Sequence, residues 1–70
     1  MSYRELVPYH GRFAVDLGQG RTGDVVEPKI GDRLDIPNRN ILRQVEERLA
    51  EKGLLLEDSG IRGIYWIIAA

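Results

Sequence analysis

Residues 36–53, IPNRNILRQVEERLAEKG, decide the fold that this sequence predicts. Apolar residues recur there at helical spacing and form one stripe along an α-helix: Ile41, Leu42, Val45 and Leu49. Asn38 or Asn40 can cap its start, because an amide oxygen accepts from the free N–H groups of the first turn. Gly53 can end the helix, since glycine adopts the left-handed conformation without a Cβ clash.

The opposite side of this helix carries polar side chains: Arg39, Asn40, Arg43, Gln44 and Glu47. Arginine, asparagine and glutamine are the residues that pair bidentately with base edges. Arg39 and Arg43 lie in the first two turns, where the helix dipole disfavours a cation by roughly 0.3–1 kcal/mol. An anionic partner at this end would explain that placement. The alternative is a solvated face with a weak Arg43–Glu47 pair.

Composition indicates one small domain. The chain has 70 residues, is 43% hydrophobic and has no cysteine, so it has no disulfide or thiolate zinc site. A net charge of −1 argues against a protein that binds nucleic acid without sequence specificity. It does not argue against a protein with a local basic surface. The chain shows neither a signal-peptide pattern nor an apolar run near the ~20 residues of a membrane span. We therefore expect a soluble, cytoplasmic protein with no membrane partner.

The first half of the chain is less clearly patterned. Residues 1–6 are expected to form a short helical start. Between Tyr9 and Leu17, a helix would align Tyr9, Phe13 and Leu17, whereas a strand would align Phe13, Val15 and Leu17. The helix is favoured because it suits the elements that follow.

The central segment is expected to alternate between turns and short elements. Residues 18–23 match G-x-G-x-x-G, but no βαβ unit surrounds them, so they are predicted to be a flexible turn. Residues 23–27 are expected to form a short strand, and residues 28–34 a short helix with Pro28 in its first turn. A strand over residues 29–36 is the alternative. After the long helix, residues 54–68 predict a hairpin with Arg62 near its tip.

The order of short strand, short helix, tight turn, long helix and hairpin resembles the winged helix-turn-helix DNA-binding proteins. The resemblance covers about residues 24 to 68. It is carried by IGDRLDIP at 30–37, by the apolar stripe of the helix, by LAEKGLL at 49–55 and by YWII at 65–68. It implies a single domain over residues 1–70, mainly α with a β-hairpin wing.

The resemblance also implies sequence-specific binding of double-stranded DNA by a small viral or microbial regulator of transcription or replication. The recognition helix, about residues 38–52, would lie in the major groove, and the hairpin 54–68 would act as the wing. The implied DNA-binding residues are Asn38, Arg39, Asn40, Arg43, Gln44, Arg62 and Lys29. One such module has a small footprint, so a homodimer on a palindromic site is expected, with Leu6, Val7 and Tyr9 as candidates for its interface.

Catalysis and metal binding have little support in the sequence. His10 is the single histidine, and no second imidazole or thiolate could share a metal with it. Ser2 is terminal and Ser59 lies in a predicted turn, so neither has an evident base partner. We expect no enzyme activity and no cofactor.

The alternative is a protein-interaction module. If residues 12–17 pair with residues 24–27, the fold becomes a small α+β unit with two hairpins and one helix. Such a module or phage-type inhibitor would bind a protein target without contacting nucleic acid. Acidic residues would then suit a basic target: Glu46, Glu47, Glu51, Glu57 and Asp58.

Overall fold

The computed structural model describes residues 4–70, which contain one helix and six strands. In chain order these elements are β1 (Glu5–Tyr9), β2 (Arg12–Gly18), β3 (Arg21–Val25), β4 (Arg33–Asp35), α1 (Arg39–Glu51), β5 (Leu54–Asp58) and β6 (Ile64–Ala69).

The six strands form one mixed sheet in the order β3-β2-β1-β4-β6-β5. β1 and β4 are parallel, and every other neighbouring pair is antiparallel. Hairpins connect β1 to β2, β2 to β3 and β5 to β6. The helix α1 connects β4 to β5, which are parallel strands with β6 between them.

The core lies on one face of the sheet, beneath α1. Side chains alternate between the two faces along each strand, so Leu6 and its register partner Leu34 point to the same side. Both are fully buried. The buried core consists of Leu6, Phe13, Leu34, Ile36, Val45, Leu49 and Ile67. Val45 and Leu49 belong to the predicted apolar stripe of the helix, and they pack against the sheet.

A partly buried ion pair fixes the start of β1 to the segment before β4. The Asp32 carboxylate accepts from Arg4 Nε at 3.2 Å and from Arg4 Nη2 at 2.7 Å. It also accepts from the backbone N–H of Lys29 at 2.8 Å, and Arg4 Nη2 donates to the Glu27 carbonyl at 2.8 Å. The pair therefore holds together two segments that are distant in the sequence.

The predicted fold class is wrong. The structure is mainly β, with 46% strand and 19% helix, rather than a mainly α winged helix. The alternative with one helix and two hairpins is right that residues 12–17 pair with the segment around Val25, as β2 and β3. It is incomplete, because β1 and β4 join the hairpins into one continuous sheet. Leu6, a candidate for a dimer interface, is fully buried in the core instead.

The helix favoured over residues 9–17 is also wrong. His10 and Gly11 have positive φ values of 48° and 76°, and they form the turn between β1 and β2. Two successive residues of positive φ are typical of a tight hairpin turn and interrupt a helix. Phe13 faces the core, as the strand pattern indicated, whereas Leu17 is 53% exposed.

The short helix predicted over residues 28–34 does not form. The backbone of this segment bonds to neighbouring strands: Gly31 N donates to the Ile67 carbonyl at 2.9 Å, and Arg33 N to the Arg4 carbonyl at 2.8 Å. Only the later part of the alternative strand forms, as β4. Pairing with distant strands has replaced the local helical bonds.

The two elements after residue 38 are confirmed. α1 is capped by Asn38, whose side-chain oxygen accepts from Ile41 N at 2.9 Å, and Gly53 has a φ of 74°. The β5–β6 hairpin forms where it was expected. The helical start predicted for residues 1–6 lies partly outside the described residues, and Glu5 and Leu6 belong to β1. Within residues 4–70 no helix has the length and hydropathy needed to cross a membrane.

Candidate nucleic-acid interface

Packing fixes which side of α1 can meet a partner. Val45 and Leu49 are buried against the sheet, and Ile41 and Leu42 are partly buried beside them. The opposite side of the helix is exposed along its whole length. α1 therefore offers a clear polar surface, as the sequence predicted.

The first turns of α1 carry a concentration of unneutralised positive charge. Arg39 and Arg43 are exposed, and neither makes an ion pair with any residue in the range 4–70. The first turn contains no acidic residue. Asn40 is exposed beside the two arginines. The Asn38 side-chain oxygen accepts the capping hydrogen bond from Ile41 N. Residues 39–45 thus contain two cations and no acidic residue.

The loop 59–63 between β5 and β6 lies beside the start of α1. The Gly63 carbonyl accepts from the backbone N–H of Ile36 at 2.8 Å, three residues before Arg39. The Ser59 hydroxyl donates to the Ile64 carbonyl at 2.8 Å, which closes the loop. Arg62 is exposed in this loop. The structure thus brings Arg62 to the same end of the sheet as Arg39, and we call this group the basic end: Arg39, Asn40, Arg43 and Arg62.

The turn between β1 and β2 lies at this end of the sheet too, because β1 runs parallel to β4. A cleft of about 210 Å³ separates the turn from α1. Gln44 and Arg12 line the cleft from its two sides. Gln44 is therefore turned toward the hairpin, and Arg12 is a cation that sequence reasoning missed, since only the strand order brings it close to α1.

Lys29 is not part of the basic end. It lies in the segment that precedes β4, whereas α1 follows β4, so the two occupy opposite ends of that strand. Its backbone N–H donates to Asp32, and its side chain is exposed. The fold therefore places Lys29 apart from the predicted DNA-binding residues of the basic end.

The far end of α1 has a different electrostatic character. Lys52 Nζ lies 2.8 Å from Glu27 Oε1, and this hydrogen bond and the ammonium charge lower the pKa of the Glu27 carboxyl. Glu46, Glu47 and Glu51 are exposed along the later turns. The later turns thus carry mixed charge, with Arg48 and Lys52 among these carboxylates, whereas the first turns carry cations alone.

Nothing in the described residues suggests a metal centre, because no three of their histidine, aspartate or glutamate side chains are placed to hold an ion. Comparison with protein-family models, curated proteins and solved structures gives no match. The function of this protein must therefore be inferred from the chemistry of its surface.

Proposed function

We propose that this protein binds double-stranded DNA through its basic end, as a small regulator of transcription or replication. The observation that carries the proposal is the pair Arg39 and Arg43, exposed on the first turns of α1 without an ion-pair partner in residues 4–70. Arg62 adds a third guanidinium from the adjoining loop. Guanidinium groups suit both phosphate oxygens and guanine edges.

The mode of docking differs from that of a winged helix. α1 lies flat on the sheet, and its 13 residues span about 20 Å. The major groove, about 12 Å wide, can admit a helix. Glu46 and Glu47 would meet phosphates if the whole helix entered the groove. The first turns should therefore enter alone, so that Asn40 reaches base edges while Arg39, Arg43 and Arg62 bind phosphates.

Three arginines define the expected strength of the interaction. Binding that neutralises three phosphates gives a slope of log K against log salt of roughly −0.9 per contact, or about −3. A footprint this small supports weak binding by one copy, and specific recognition would use two copies on a palindromic site.

The test is fluorescence anisotropy with a labelled pool of random duplexes at several salt concentrations. Replacing both helix arginines, Arg39→Ala/Arg43→Ala, should weaken binding and reduce the slope by about 2. The control Arg21→Ala/Lys29→Ala removes the same charge from exposed positions at the other end of the sheet. It should keep the wild-type slope. Equal losses in the two variants, or no binding at low salt, would refute the proposal.

A further inference from the structure

The face of the sheet that α1 does not cover has an apolar centre. Register places Val7 on β1, Ile64 and Ile68 on β6 and Leu55 on β5 on this face, opposite the core. Leu55 is 47% exposed, and the other three are partly exposed. β6 reads IYWIIA, an apolar run typical of a strand that is covered on both faces. We call this surface the open face.

Carboxylates surround this apolar centre. Register aligns Glu5 with Arg33 across β1 and β4, and Glu57 with Trp66 across β5 and β6. Asp35 is exposed and aligns with Ile64. Glu57 and Asp35 make no ion pair within residues 4–70. The open face is therefore acidic, in contrast to the basic end.

A depression of about 160 Å³ in the open face concentrates this charge. Its polar lining consists of Glu5, Asp16, Asp35 and Arg33. Arg33 lies 3.9 Å from Glu5, a distance that leaves the pair weak. Three carboxylates around one guanidinium leave net negative charge. The depression can therefore accept a further cationic side chain.

We propose that the open face binds a segment of another protein that presents lysine or arginine beside apolar side chains. The cation would occupy the depression, and the apolar side chains would cover Ile64, Ile68 and Leu55. A second copy of this chain fits less well, because two open faces would bring carboxylates against carboxylates. DNA is repelled by the same charge. This surface is independent of the basic end, so either proposal can fail without the other.

The probe is a twelve-residue peptide of lysine, leucine and serine, compared with the same peptide carrying glutamate in place of lysine. Trp66 is the only tryptophan and lies on the open face, so its fluorescence reports occupancy. We expect the lysine peptide alone to bind, to change this emission and to shift the backbone NMR signals of β5 and β6.

Charge-reversal variants test the role of the carboxylates. Asp35→Lys/Glu57→Lys should weaken peptide binding about tenfold or more, since like charges face the cationic peptide. The milder variant Asp35→Asn/Glu57→Gln should also weaken peptide binding. It replaces the charge-reversal variant in this test if that variant fails to fold. Glu46→Lys/Glu47→Lys makes the same charge change on α1 and should leave binding unchanged.

Four results would overturn the proposal. The first is absence of lysine-peptide binding, and the second is equal binding of the glutamate peptide. The third is a binding site on α1, seen as NMR shifts there and as a loss in the Glu46→Lys/Glu47→Lys variant. The fourth is a dimer in sedimentation that Leu55→Glu converts to monomer, which would assign the open face to a second copy.

Discussion

Removing the Asp32 carboxylate should be among the most destabilising single changes in this protein. Its side chain is 7% exposed and accepts three hydrogen bonds, two from Arg4 and one from the Lys29 backbone. Asp32→Ala removes all three, so that only the backbone pairing of β1 with β4 still joins these segments. Arg4 is 31% exposed, so its guanidinium can regain contact with water after the change.

The size of the effect follows from these exposures. Breaking a fully buried ion pair costs about 3–5 kcal/mol, and rehydration of Arg4 lowers this to about 2–3 kcal/mol for Asp32→Ala. Arg4→Ala should cost at least as much, because it leaves the more deeply buried partner without its counter-charge. A domain of this size has roughly 4–10 kcal/mol of stability. The melting temperature should therefore fall by about 10–20 °C.

Urea unfolding followed by circular dichroism measures both losses, and Asp24→Ala is the control because Asp24 is exposed. The double variant Arg4→Ala/Asp32→Ala should be more stable than the sum of the single losses predicts. A loss for Asp32→Ala within about 0.5 kcal/mol of the control, the range of ordinary surface changes, would refute the reasoning.

Three further predictions concern the helix and its ends. Leu49→Ala should lower the free energy of unfolding by about 2–5 kcal/mol in urea, because it removes a fully buried side chain between α1 and the sheet. Asn38→Ala should cost about 1 kcal/mol in the same assay, and Asn38→Ser should restore most of it by capping Ile41 N again. The pKa of Glu27, followed by NMR titration, should lie below its ordinary value and should rise in Lys52→Met. Because the folded-state pKa is lowered, the stabilising effect of this pair is present above the unfolded pKa and is lost as pH falls through the folded one.

The polar surface of α1 could be predicted from sequence, whereas the composition of the basic end could not. Arg39, Asn40 and Arg43 follow from helical spacing once the buried stripe is known. Arg62 was expected to act from the tip of a wing, but the backbone bond between Ile36 and Gly63 places its loop beside the helix start. Lys29 belongs to the predicted set only through the resemblance to winged helix-turn-helix proteins, and this chain does not have their mainly α fold.

The open face could not have been found from sequence. The continuous apolar run of β6 shows that both of its sides are apolar, but not which side α1 covers. Glu5, Asp35 and Glu57 come together only because β1, β4, β6 and β5 are neighbours in the sheet. The same acids look unremarkable along the chain, where they are far apart.

Local sequence patterns specify α1 and the β5–β6 hairpin. A helix bonds within four residues and a hairpin pairs neighbouring segments, so caps, spacing and turns specify both locally. Tertiary structure alone decided the first half of the chain, where Leu6 pairs with Leu34 in a parallel register and Arg4 binds Asp32. The physical reason is that strand pairing and ion pairs join residues that are distant in sequence, and no local pattern specifies which partners will meet.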